Sequence, residues 1–206
     1  MIFIMSFDTL SSNGIAGKTG SPGENACNVS GCHSGNPLND AAGSMTLSAP
    51  TLTGFQYVLG QIYTISVTIS RPGVNLYGFG FEALNSAGAN AGTLVVTDAV
   101  TTTTKNLTVS GNIRKSVVHK LNGGATAGTH TFTFNWTAPA TNIGNVTFYF
   151  AGNAANGGGT TAGDFIYKSS QVVTPAPLGI SENNQNIFSL SVFPNPASES
   201  ATISSV

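Results

Sequence analysis

The segment Tyr63-Thr64-Ile65-Ser66-Val67-Thr68-Ile69-Ser70 alternates bulky apolar and small hydroxyl side chains at a period of two, the spacing of a half-buried β-strand and of no helix. Tyr63, Ile65, Val67 and Ile69 share one face; the hydroxyls share the other. Thr129 to Trp136 repeats the pattern with His130, Phe132, Phe134 and Trp136 on one side. After the turn Arg71-Pro72-Gly73, the residues from Tyr77 to Leu84 place Tyr77, Phe79, Phe81 and Ala83 inward and Gly78, Gly80 and Glu82 outward. Glycine on the outer face leaves room for another element to approach the backbone.

Further strands are expected at Gly92 to Thr97, Leu107 to Val109, Ile113 to His119, Val146 to Gly152 and Phe165 to Val173, with glycine, proline and asparagine in the gaps. No stretch carries a sustained helical period. Seven or eight short strands at this spacing predict an all-β fold, an antiparallel β-sandwich of the immunoglobulin-like type. A chain of 206 residues with 40% apolar content buries one main core. Only 7% of the residues are charged, with a net charge of −1, so there is no cluster of Lys and Arg to meet nucleic acid or an anionic membrane. The surface must instead be Thr, Ser, Asn and Gly, a composition common in exported β-rich proteins.

One stretch concentrates reactive groups. Cys27-Asn28-Val29-Ser30-Gly31-Cys32-His33 holds both cysteines and one of the three histidines, between turn-forming runs at Gly17 to Asn25 and Ser34 to Pro37, which makes it an irregular loop. Two thiols and an adjacent imidazole are the set that attaches a c-type haem, the thiols adding across the vinyl groups and the histidine ligating iron. Here four residues separate the cysteines, where two are usual. Two other readings use the same residues: a Cys27–Cys32 disulfide clamping the loop, or a tetrahedral zinc site completed by one more histidine.

A haem also needs a second face. His119, at the end of its strand, is the candidate second axial ligand, and Arg114, Lys115 and Lys120 are candidate propionate partners. Met45 is a candidate thioether ligand whose plainer role is packing, and His130 reads as a core or pocket residue. Other catalysis has little to stand on. The carboxylates are scattered, Asp164 in Gly163-Asp164-Phe165 reads as a turn residue, and Gly157-Gly158-Gly159 lies between strands, where it serves a hairpin and not a phosphate loop. No enzymatic activity is expected. Asn28, Asn106, Asn135 and Asn145 open sequons that carry no meaning in a bacterial source.

Along the chain, residues 1–16 read as a signal-peptide remnant or a disordered start, 17–44 as the Cys-Cys-His loop, 45–173 as the sandwich, 174–187 as a linker and 188–206 as the opening of a second β module. No apolar run reaches the length of a transmembrane span. The tail Val192-Phe193-Pro194-Asn195-Pro196-Ala197 resembles the start of the C-terminal sorting domain of the type IX secretion system, which implies export through that machinery. Gly17 to Glu24, the Cys-Cys-His loop, Gly60-Gln61-Ile62-Tyr63, Gly78-Phe79-Gly80-Phe81, Phe134 to Pro139 and Tyr149 to Gly157 resemble the bacterial Reeler-like family called choice-of-anchor V, through residues 17–173. That resemblance implies a secreted or cell-surface β-sandwich preceded by a Cys/His loop. Two functions are then expected: a mono-haem c-type protein in electron transfer or redox sensing with a redox partner, or a haem-free adhesion module with a structural disulfide and an extracellular ligand.

Overall fold

The structure, a computed structural model, describes residues 13–28, 32–177, 191–193 and 202–204. The chain divides into two units, one ending at Ala176 and one beginning at Pro177. In the first unit, ten strands form two sheets. A four-stranded sheet runs β1 (Ser44–Ser48), β3 (Ile62–Ser70), β8 (Thr129–Thr137), β5 (Thr93–Val96). A six-stranded sheet runs β2 (Gln56–Tyr57), β10 (Phe165–Pro175), β9 (Val146–Ala155), β4 (Leu76–Leu84), β7 (Asn112–His119), β6 (Thr102–Val109). Every pairing is antiparallel except β10 with β2. The only helical turn among the described residues is the short 3₁₀ piece Thr53–Phe55. No described helix is long and apolar enough to cross a membrane.

The expected all-β sandwich is present, and its core lies between the faces that the alternation marked. Tyr63, Ile65, Val67 and Ile69 from β3 and Phe132, Phe134 and Trp136 from β8 meet Tyr77, Phe79, Phe81 and Ala83 from β4 and Phe148 and Phe150 from β9. Phe79 stacks on Phe132 at 4.4 Å between centroids, a direct tie between the sheets. Met45 packs against this core, the plainer of its two expected roles.

The larger differences from the sequence expectation lie at β6, at the two short edge strands and at the end of β10. Strand β6 starts at Thr102, because Thr102 to Asn106 pair with β7 although they carry no apolar alternation. Strands β1 and β2 edge the two sheets, and β2 is too short to show a period. Strand β10 runs to Pro175, so Thr174 and Pro175 belong to the sandwich and pair with Gln56 and Tyr57 rather than starting a linker. Proline is tolerated there because β10 ends at that point.

In the second unit, β11 (Ser191–Phe193) pairs antiparallel with β12 (Thr202–Ser204). Most of the tail motif that resembles a sorting domain, Pro194-Asn195-Pro196-Ala197, and the first twelve residues, read as part of a signal-peptide remnant or a disordered start, lie outside the described residues.

Candidate functional site

Part of the outer face of the six-stranded sheet is covered by another element of the chain. The segment 13–28 crosses it, held by the Gly14 N–H donating to the His119 carbonyl at 2.8 Å and by the Arg114 guanidinium donating to Ser21 Oγ at 3.0 Å and the Pro22 carbonyl at 2.9 Å. The outward glycines of β4 thus admit another element, as their placement suggested. Residues 13–16, expected as the end of a signal-peptide remnant or a disordered start, are part of this strap: Asn13 Oδ1 accepts from the Leu121 N–H at 3.0 Å. Glu82, expected to point outward from β4, is fully buried beneath the strap.

Beside the strap lies an open cavity of about 460 Å³. Its lining includes Lys18, Cys27, Cys32, His33, Gly78, Gly80, His119, Asn153 and Asp164. The four residues singled out from sequence, Cys27, Cys32, His33 and His119, are therefore brought to one cavity by three different parts of the fold: the strap, the loop that follows it and the end of β7. The hairpin between β9 and β10 forms another part of the wall through Gly157, Gly158 and Gly159.

His33 is anchored tightly. Its backbone N–H donates to the Cys27 carbonyl at 2.9 Å, which closes the loop on itself. Its Nδ1 lies 2.7 Å from Asp164 Oδ2. Asp164 is buried and also accepts from the Asn156 N–H at 2.8 Å and Asn153 Nδ2 at 3.3 Å. Burial alone would raise its pKa, but the hydrogen bonds from His33, Asn156 and Asn153 outweigh it and hold the carboxyl below its ordinary value. Asp164 is thus no mere turn residue. It was missed because one Gly-Asp-Phe triplet looks like any strand entry; the signal available was a carboxylate in a chain with only eight.

His119 is held differently. Its Nδ1 sits 3.0 Å from the Phe79 backbone nitrogen and 3.2 Å from the Phe79 carbonyl. The ring fits only because two glycines lack side chains: a Cβ on Gly14 would stand 2.7 Å from His119 Nδ1, and one on Gly78 would stand 2.8 Å from Cε1. Gly78→Ala is therefore expected to push the imidazole out of its place and release the Phe79 bond. Amide hydrogen exchange at Phe79 checks this, and unchanged protection would count against the packing argument.

Both cysteines are free thiols. Burial, and then the neighbouring Cys32, push the Cys27 thiol up to about 11 although Lys18 pulls the other way, so it is protonated at neutral pH. The expected propionate partners are elsewhere. Arg114 is buried in the strap contact, Lys120 Nζ donates to the Ala99 carbonyl at 2.9 Å, and Lys115 lines a separate small depression with Asn90 and Gly92. The lysine that reaches the cavity is Lys18. His130 faces neither histidine: its Nδ1 pairs with Thr126 Oγ1 at 2.9 Å and its ring packs on Phe132. Among the described residues, no three His, Cys, Asp or Glu side chains are arranged to hold a bare metal ion.

Fold and site together define an all-β sandwich with a solvent-open cavity walled by thiols and imidazoles. No protein-family model matches the chain, and no curated protein matches it. Among solved structures, it is similar to the human F-spondin reeler domain, with a TM-score of 0.44 at 19% identity over 64% of this chain and 88% of that one. It is also similar to a cohesin module from a Clostridium perfringens family 33 glycoside hydrolase, with a TM-score of 0.44 at 14% identity over 65% and 96%. A third similar structure is a DUF4466 family protein from Parabacteroides merdae, with a TM-score of 0.41 at 14% identity over 68% and 45%.

Proposed function

We propose that this chain is an exported β-sandwich protein whose cavity holds one haem c, attached through Cys27 and Cys32, with His33 as axial ligand and His119 as candidate second ligand. The observation that carries the reading is that these four residues line one cavity. Its volume of about 460 Å³ lies in the ordinary range for cofactor sites, about 300–1,000 Å³. Such a haem supplies reversible one-electron chemistry at iron, suited to electron transfer or redox sensing with a one-electron partner. The chain's own part is to hold the two thiols beside the cavity, fix the His33 ring through Asp164 and place the cationic Lys18 where it can pair with an acidic group. A bound haem would bring four ring nitrogens of its own to the iron, so His33 and His119 would be the only protein ligands it needs.

The sorting-domain resemblance of the tail and the uncharged Thr- and Asn-rich composition support export through the periplasm to the cell surface, with the type IX secretion machinery as partner. A second reading is a haem-free extracellular binding module in which Cys27 and Cys32 form a disulfide. It is favoured by the proximity of Cys32 to Cys27, which is among the causes that push the Cys27 thiol up. Zinc has less support, since the thiols and imidazoles do not converge as a tetrahedral set.

Expression with a signal peptide in a host that matures c-type cytochromes separates these readings. The expected product is one haem mass heavier than the chain and gives a c-type pyridine haemochrome band. Cys27→Ser with Cys32→Ser should carry no covalent haem. A colourless wild-type protein two hydrogens lighter than its reduced form would sink the haem reading and establish the disulfide.

A further inference from the structure

The two ring nitrogens of His33 have different surroundings. Nδ1 lies 2.7 Å from Oδ2 of Asp164, a carboxylate only 5% exposed. That carboxylate also takes the Asn153 amide at 3.3 Å and, through Oδ1, the Asn156 N–H at 2.8 Å. Donors converge on it from three directions, so it is ionised and can only accept. The proton between the two residues therefore belongs to His33 Nδ1. In a neutral imidazole this leaves the lone pair on Nε2, on a ring that lines the cavity.

The backbone around the pair is braced as well. Asn36 Nδ2 donates to the Gly163 and Asp164 carbonyls at 2.8 and 3.2 Å, and the Gly163 N–H donates to the Ser34 carbonyl at 2.9 Å. The loop carrying His33 is thus pinned to the entry of β10 directly after the contact. A metal-binding histidine is commonly oriented by a carboxylate on its far nitrogen, and that arrangement fixes both ring direction and tautomer.

We propose that Asp164 is a positioning residue that holds His33 as the Nδ1–H tautomer, presents Nε2 as the metal-binding nitrogen and, by its buried charge, favours the oxidised form of a bound iron. The last part rests on the haem reading; the first two do not. The negative charge sits one imidazole away from the iron position, in surroundings where screening by water is weak, so it stabilises the more positive oxidation state.

The test begins with ¹⁵N-labelled protein, haem-free and with reduced thiols, in which the imidazole nitrogen shifts report where the proton sits. Wild-type His33 is expected as Nδ1–H; finding Nε2–H overturns the proposal whatever the variants do. Asp164→Asn keeps an acceptor for the Asn156 N–H but turns an amide donor toward Nδ1, so His33 should flip to Nε2–H. Asp164→Glu, which keeps the carboxylate, should restore Nδ1–H. A well-dispersed Asn variant with an unflipped His33 also overturns it. In haem-loaded protein, Asp164→Asn should move the midpoint potential to a more positive value, and an unmoved midpoint removes the charge effect. Failure of the wild type to take up haem counts against the proposed function, while the tautomer measurement still decides the role of Asp164.

Discussion

Trp136→Ala is expected to destabilise the sandwich by about 3–5 kcal/mol, as removal of a large buried aromatic does. Trp136 is fully buried, edge-on to Tyr57 at 5.8 Å and to Phe148 at 4.9 Å, and stacked on Tyr63 at 5.8 Å. Its indole N–H donates to the Ala91 carbonyl at 2.8 Å, a buried acceptor that the substitution would orphan. Because strands of both sheets surround the ring, neither can close the hole without moving the other. Against a typical domain stability of about 5–15 kcal/mol, the variant should lose a large share of its margin, and its melting temperature should fall by about 10 °C or more. Urea unfolding measures this, with the half-exposed Leu107→Ala as a control expected to stay within about 0.5 kcal/mol. A loss below about 1 kcal/mol for Trp136→Ala would mean that the core does not close on this ring.

The second large effect is expected where the strap meets the sheet. Glu82 and Glu24 come together beneath it around the Thr19 hydroxyl. Thr19 Oγ1 donates to Glu24 Oε2 at 3.0 Å and reaches Glu82 Oε1 at 3.4 Å, and Arg114 Nη1 lies 3.6 Å from Glu24 Oε1. One guanidinium faces two carboxyls, so the cluster is neutral only with a shared proton. Burial first, and then the Glu24 hydrogen bond and charge, push Glu82 up from 4.5 to about 8. A folded value above the unfolded one means that the proton's stabilisation is complete below about pH 4.5 and is lost as the pH rises through about 8. The urea midpoint of the wild type should therefore decline across that window, while Glu82→Gln, which mimics the protonated acid, should stay nearly level and exceed the wild type in alkali. Arg114→Ala, which leaves the buried acid pair without a cation, should cost about 3–5 kcal/mol near neutral pH. A wild-type midpoint flat from acid to alkali would refute the shared-proton arrangement.

Much of the fold was legible because its signal is local. A strand's two faces alternate residue by residue, so Tyr63, Ile65, Val67 and Ile69 declared their burial within eight residues of sequence. Strand β6 was read only from Leu107 onward for the opposite reason: Thr102 to Asn106 are strand by virtue of pairing with β7, and an edge strand with both faces partly wet has no alternation to show. Strand β2 escaped because two residues hold no period.

The candidate site was half legible. Cys27, Cys32 and His33 stand together in sequence, and reactive side chains that sit together announce themselves. His119 was reached by its position at a strand end, although its true constraint, the ring wedged between Gly14 and Gly78, joins segments far apart in the chain. Asp164 and Lys18 were passed over in favour of Arg114, Lys115 and Lys120, residues close to His119 in sequence but turned to other work.

By itself, then, the sequence determined the all-β class, the inward faces of β3, β4 and β8 and the loop where the thiols and one imidazole are gathered, since each of these is written within a dozen neighbouring residues. Only the tertiary structure decided that His33 meets Asp164 across 131 residues, that His119 shares their cavity and that Glu82 is buried. The paths of the strap and of the β9–β10 hairpin settle all three. Such irregular segments follow whatever route satisfies their backbone hydrogen bonds against the finished sheet, and no periodic pattern in the chain encodes that route in advance.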